Sequence, residues 1–305
     1  MKNAGIRTAA LVNAVEENQP RALNIFKSHA FGVKLFMINN TIAVVRGGGD
    51  LGSGVAHTLH KSGFKVLILE VEQPKAIRRK VSFAQAVFDG HTIVEDVKAV
   101  KAVTKQDIDA LWNQGCIPVC VDPEASLLKE VKADVVIDAL LAKKNIGMRR
   151  DMAPITIALG PGFQAGKDVD IVIETNRGHN LGRLIYDGYA ESNTGIPGSI
   201  KGYTEERVLR APHDGQIRTV LNMGDEVKKG EIICYIDNEP VRAAIDGIIR
   251  GLIINNLQVT KDGKIGDIDP RGIKEYCFTI SDKARTIAGA VLEAILSALK
   301  QRLGN

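Results

Sequence analysis

Residues 41–54 read TIAVVRGGGDLGSG, a β-branched run that passes without a spacer into a glycine-rich turn. β-Branched residues suit a pleated, buried strand, and glycines placed directly after one suit a tight turn into a helix. Gly47, Gly49 and Gly52 have the spacing G-x-G-x-x-G. In that pattern the first glycine makes the turn, the second lets a pyrophosphate approach the backbone, and the third lets the helix pack on the strand. The helix that follows, with Val55 and Leu59 on its apolar side, is expected to stop at Gly63, and residues 65–69 form a second strand running into Glu70. Glu70 stands 18 residues beyond Gly52, close to the spacing of a ribose-binding carboxylate. Gly47, Gly48, Gly49, Asp50, Gly52 and Glu70 are therefore the first candidate cofactor-binding residues. Asp50 fits least, because it brings negative charge to the place a phosphate would take. A glycine turn that serves only close packing is the competing explanation.

The rest of the composition narrows the function classes. A chain of 305 residues has room for two domains, and 45% hydrophobic with 25% charged residues is ordinary for a globular protein. No apolar run approaches the ~20 residues needed to span a bilayer, so no membrane role is expected. The formal net charge of +4 is mild and the basic residues are scattered, which argues against a nucleic-acid surface and is sufficient for a small phosphorylated ligand. Cys116, Cys120, Cys234 and Cys277 form no C-x-x-C pair, consistent with a reducing cytoplasm. Residues 1–36 resemble neither a secretory signal nor the domain that follows. They are expected to be a leader extension outside the fold, with Met37 as the natural start.

Along the chain, apolar patterns alternate between strand and helix as a layered α/β domain requires. Helices are expected over 76–88, 105–114 and 125–131, the last entered through Asp122-Pro123, and strands over 117–121, 134–139, 155–159 and 169–174. This gives about six or seven strands. Around 192–202 the composition shifts to Asn, Thr, Gly, Pro and Ser, marking a boundary. Residues 208–249, VLRAPHDGQIRTVLNMGDEVKKGEIICYIDNEPVRAAIDGII, then place short strands between turns at Asp214-Gly215, Gly224-Asp225, Lys229-Gly230 and Asp246-Gly247. Their spacing resembles biotinyl/lipoyl-type barrel-sandwich modules. The hairpin over 236–242 carries no lysine to modify, so a covering or docking module is expected rather than a swinging-arm carrier. Ser281 and Asp282 cap a C-terminal helix whose stripe of Ile287, Val291, Leu292, Ile295, Leu296 and Leu299 is expected to pack back on the α/β domain.

Basic residues gather after the expected strands: Arg46, Arg78 and Arg79, Lys143 and Lys144, Arg149 and Arg150, Arg177 and Arg183. Open α/β sheets bind ligands beyond the carboxyl ends of their strands, and arginine's planar fork suits phosphate. Arg78, Arg79, Arg149, Arg150, Arg177 and Arg183 join the candidate list, with His179 of the run TNRGHNLGR (175–183) as a phosphate donor or proton carrier. No residue is assigned as catalytic. His57 and His60 lack a third ligand nearby, so no metal site is assigned. Cys116 and Cys120 fit small buried residues, with a persulfide or selenide carrier as the alternative. Asp267 and Asp269, in GDIDPR (266–271), either ligate Mg²⁺ or cap Arg271.

The stretches VVRGGGDLGSGVAHTL (44–59), PKAIRRKVSFAQAVFDG (74–90), ALGPGFQAGKDVDIVIETNRGHNLGR (158–183), ESNTGIPG (191–198), KIGDIDPRG (264–272) and SDKARTIAGAVLEAIL (281–296) together resemble the YqeB family of selenium-dependent molybdenum hydroxylase accessory proteins. The resemblance covers roughly residues 40–300 and leaves the leader outside. It implies a cytoplasmic maturation factor that meets a molybdenum hydroxylase client and handles a molybdopterin-type cofactor or nucleotide. It implies no catalytic residues. The expected architecture is a Rossmann-like parallel sheet over 37–202, a barrel-sandwich-hybrid module over 203–272, and a C-terminal strand and helix over 273–305 returning to the α/β domain. Two alternatives stay open: an NAD(P)-dependent oxidoreductase, with Glu70 on the ribose, and a non-catalytic interaction scaffold. Assembly as a homo-oligomer is compatible with each.

Overall fold

The computed structural model describes residues 38–303, of which all from Thr41 onward belong to one compact unit. The expectations for residues 1–36 and for Met37 lie outside the described residues. The glycine-rich stretch forms β1 (Ile42–Arg46), a turn and α1 (Asp50–Lys61), followed by β2 (Lys65–Glu70). Then come α2 (Ala86–Asp89), the hairpin β3 (His91–Val94) and β4 (Val97–Lys101), α3 (Lys105–Asn113), β5 (Ile117–Val121), β6 (Val135–Asp138) and β7 (Ile155–Leu159). Short strands β8 (Gln164–Ala165), β9 (Ile171–Ile173), β10 (Leu184–Ile185) and β11 (Gly188–Tyr189) complete this part.

Nine of these strands make one sheet in the order β10-β9-β7-β6-β1-β2-β5-β4-β3. The seven inner strands are parallel, and the edge strands β10 and β3 run antiparallel to their neighbours. The stretch β5-β2-β1-β6-β7-β9 has the doubly wound dinucleotide-fold order. β1, β6 and β7 are apolar and buried along nearly their whole length, as strands covered on both faces must be. α1 lies against the C-terminal helix α4 (Asp282–Leu303), where Gly54 permits the approach: a Cβ there would stand 3.0 Å from the Ala284 Cβ.

Residues 208–269 fold into two four-stranded antiparallel sheets. One is β12 (Val208–Arg210), β19 (Lys264–Asp269), β17 (Gly247–Leu252) and β14 (Glu226–Val227) in that order, and the other is β16 (Glu239–Arg242), β15 (Ile232–Ile236), β13 (Gly215–Thr219) and β18 (Gln258–Val259). Their shared core includes Leu209, Ile217, Ile233, Ile249, Leu252 and Ile268.

Three elements differ from expectation for identifiable reasons. Residues 76–88 are not one helix but two 3-10 turns (Arg79–Val81 and Phe83–Gln85) leading into α2. The main chain of Ile77 accepts from Leu252 N (2.9 Å) and Arg79 Nε donates to Leu252 O (2.8 Å), so this segment is spent tying the parallel sheet to β17. Residues 125–131 close only a 3-10 turn, Ser126–Lys129, capped by Asp122 as its position suggested. The strand expected after residue 273 is another 3-10 turn, Lys274–Cys277. The β3–β4 hairpin was not anticipated; it reaches back to α1 through ion pairs of Asp96 with His57 and Lys61.

Candidate functional site

The glycine turn is held from inside. Gly47 takes a positive φ of 95° and donates to Leu69 O (2.8 Å). Gly48 donates to Glu70 Oε1 (2.6 Å), while its carbonyl accepts from the hydroxyls of Ser53 and Ser82 (both 2.7 Å) and from Ala84 N (2.9 Å). A Cβ on Gly52 would lie 2.0 Å from Gly47 O, so the third glycine is required by packing. Gly49 is different: its backbone is extended, and a Cβ there would meet nothing within 4 Å. It is the one glycine of the fingerprint whose side-chain direction is open, the property the second position needs for ligand approach.

Glu70 ends β2 as expected, but both its oxygens accept main-chain N–H groups, from Gly48 and from Val71 (2.9 Å). Burial pushes its carboxyl above the usual range. It braces the turn rather than facing a cleft. Asp50 opens α1 with its carboxylate gripped by Arg78, whose Nη1 donates to both oxygens (2.9 and 3.0 Å) and whose Nη2 donates to Tyr276 O and Thr279 O (2.9 Å each). The charge that seemed out of place is thus neutralised by an arginine with only 6% exposure.

Beside this turn lies a cleft of about 560 Å³. Its floor is the carboxyl edge of the sheet, through Pro161 after β7 and Thr175 and Asn176 after β9, together with the first turns of α1 and α4. A strap over 192–198 and the β module's Arg207, Arg250, Lys264 and Asp267 close the other sides. Buried Glu174, at the end of β9, positions two of these pieces, accepting from Asn176 N (2.6 Å) and Glu191 N (2.7 Å). Seven cationic and three acidic side chains line the space. Its positive balance, two helix N-termini and a fringe of Ser, Thr and Asn side chains suit a ligand with an anionic end and a polar body.

Of the predicted residues, Asp50, Arg78 and Arg177 line this cleft. Arg177 donates to both oxygens of Asp282 (2.9 Å each), and that contact holds the Asp282 carboxyl well below the usual range. Gly47, Gly48 and Glu70 stand behind it as the turn's support. Arg79 faces the β module instead. Arg149 and Arg150 lie elsewhere: β6 is followed by a loop without a long helix, and this chain returns to the start of β7 before Arg150 engages Asp170 (2.6 and 2.9 Å) and Gly166 O (2.7 Å). Asp170 immediately precedes β9, so this pair sits at the amino edge of the parallel strands. Following a strand in sequence did not mean lying at its carboxyl end. Arg183 borders a separate hollow with Asn180 and Tyr186. His179 is exposed and makes no hydrogen bond or ion pair among the described residues. Arg46 is buried against Asp138 (3.2 Å), which fills the crevice between β1 and β6 at the switch point of the sheet.

Cys120, Cys234 and Cys277 are buried; burial pushes the first two up to about 12 and raises the third as well. Cys116, expected to be buried, is instead partly exposed just before β5. Asp269 bonds Arg271 through Nε (2.9 Å) and Nη2 (2.6 Å), the capping alternative, and Asp267 pairs with Arg207 (3.1 Å) and Lys264 (3.3 Å).

Sequence reasoning missed Arg207, Arg250, Lys264, Lys283 and the 192–198 strap. In sequence the strap shows as a composition change and as the stretch ESNTGIPG, neither of which says that it covers a cleft.

Comparison with known proteins completes the picture. No family model matches the chain. Among solved structures it is similar to an aspartoacylase family protein from Mesorhizobium loti (11% identity, TM-score 0.26, 75% of this chain and 84% of that one). It is similar also to the E. coli tRNA N6-threonylcarbamoyladenosine dehydratase TcdA, solved in complex with AMP (12% identity, TM-score 0.29, 88% of this chain and 92% of that one). Likenesses this weak carry no functional argument. In sequence, the chain is 50% identical over 296 residues, 97% of its length, to the uncharacterized protein YqeB of Escherichia coli (strain K12), and it spans about half (53%) of that relative. Half its residues are identical along nearly its whole length, and this similarity supports placing the chain in the YqeB family.

Proposed function

We propose that this chain is an accessory protein in the maturation of a selenium-dependent molybdenum hydroxylase in the bacterial cytoplasm. In this role it holds a phosphorylated ligand, a molybdopterin-type cofactor or a nucleotide, in the cleft beside the glycine turn. The observation that carries the proposal is the cleft itself: a cation-rich space at the carboxyl edge of a doubly wound sheet, reaching Asp50 at the end of the glycine turn and lined by all six of the stretches on which the YqeB resemblance rests. The β module is a barrel-sandwich hybrid that has lost the carrier lysine and serves to cover the cleft and to meet the client hydroxylase. Its exposed hairpin joins β15 and β16 through Asp237 and Asn238, polar residues with nothing to carry a swinging arm. No helix among the described residues is long and apolar enough to cross a membrane, which fits this setting. The nicotinamide alternative is weakened because Glu70, its ribose partner, already accepts two main-chain N–H groups.

Equilibrium dialysis of the chain against a molybdopterin-type cofactor and, separately, against NADH and NADPH tests the assignment. Binding of the pterin, lost in a folded Gly49→Val variant, is the expected result. Tight NAD(P)H binding with hydride transfer would replace it with the oxidoreductase reading.

A further inference from the structure

Seven cations line the cleft, and they are not equivalent. Arg78 is engaged by Asp50 and two carbonyls, and Arg177 by Asp282. Arg207 is engaged by Asp267 and Gly198 O, and Lys264 by Asp267. Lys75 is exposed at the rim. That leaves Arg250 and Lys283. Arg250, on β17, has side-chain exposure of 13%, and its contacts are long ones made by Nε: 3.7 Å to Asp269 and 3.5 Å to Tyr276 O. Its two Nη nitrogens make no hydrogen bond among the described residues. Lys283 is half-buried on the first turn of α4, and its ammonium makes no hydrogen bond or ion pair among the described residues. A lysine there opposes the helix dipole, and a guanidinium with idle donors inside a cleft forgoes contacts that its burial would ordinarily demand.

We infer that Lys283 and Arg250 together form the seat for the ligand's phosphoryl group, so that a bound phosphate or diphosphate ester bridges α4 and the β module. This deepens the phosphorylated-ligand reading above and rests on it. Burial lowers the pKa of both groups, and neighbouring cations, Arg78 for Arg250 and Arg177 for Lys283, lower it further, against the opposing pull of Asp267, Asp269 and Asp50 on the first and of Asp50, Glu174 and Asp282 on the second. Asp50 stands near both cations, but its charge is already neutralised by Arg78. A diphosphate ester suits the space best, because its charge can be shared between two donors on different elements.

Calorimetric titration of the full chain with inorganic pyrophosphate tests this seat. The wild-type chain should bind it, and Lys283→Met and Arg250→Met should each weaken binding at least tenfold, against less than twofold for Lys98→Met, an exposed lysine on β4 outside the cleft. Since neither seat residue has a close partner, both variants should fold, and circular dichroism melts serve as the control. If binding is lost in Gly49→Val but unchanged in Lys283→Met and Arg250→Met, the phosphate sits at the glycine turn, and the seat is wrong while the phosphorylated-ligand reading stands. If the wild-type chain binds no pyrophosphate, the seat is also wrong, and dialysis with the pterin decides the broader reading separately.

Discussion

Two sets of groups around the cleft are built on opposite principles. At the glycine turn the polar groups are held from within: Asp50 by Arg78, Glu70 by the main chain of Gly48 and Val71, and the Gly48 carbonyl by three donors, with Arg78 Nε the buried donor left over. On α4 and β17, Arg250 and Lys283 keep donors unused inside partly buried space. Groups whose hydrogen bonds are satisfied within the protein hold it together. Groups left with idle donors in a cavity are the ones a ligand must satisfy, and the difference separates the residues that build this site from those that use it.

The contrast can be broken first on the turn. Gly52→Ala drives a Cβ to 2.0 Å from Gly47 O and should cost roughly 3 kcal/mol, read as a fall in the thermal midpoint. Gly49→Ala, with open space around it and an ordinary extended backbone, should leave that midpoint unchanged or raise it slightly. Equal losses at both positions would remove the distinction between structural and open glycines. Next in size is Arg78→Met. It strands the Asp50 carboxylate and the carbonyls of Tyr276 and Thr279, and about 2 kcal/mol of stability should go with it in denaturant titration. A melt indistinguishable from wild type would mean the turn is not braced as described. Smallest is Lys283→Met, which takes a cation away from a helix N-terminus and should raise stability by about 0.5 kcal/mol. Marked destabilisation there would make Lys283 a structural residue and erase the contrast.

What the sequence disclosed follows from how local each feature is. β1, the turn, α1 and β2 were legible because a β-branched run, three spaced glycines and the pattern up to Gly63 lie within thirty consecutive residues. The segment around Ile77 and Arg79 looked helical by periodicity, yet hydrogen bonds to Leu252, far along the chain, override that preference. Arg149 and Arg150 were misplaced because order after a strand says nothing about which edge a returning loop reaches. Arg250 and Lys283 were hidden for a related reason. One sits in a strand pattern and the other opens an apolar helix, and only the tertiary fold brings both to one cleft. Asp50 was noticed as an anomaly, but its partner Arg78 stands 28 residues away, beyond any local pattern.

The central claim, that this cleft holds a phosphorylated organic ligand, is tested most directly by native mass spectrometry of the chain purified from cells that make molybdopterin. The wild-type chain should carry a stoichiometric adduct whose fragments include phosphate, and a folded Gly49→Val variant should not. A bare mass for the wild-type chain, persisting after incubation with the cofactor, would contradict it.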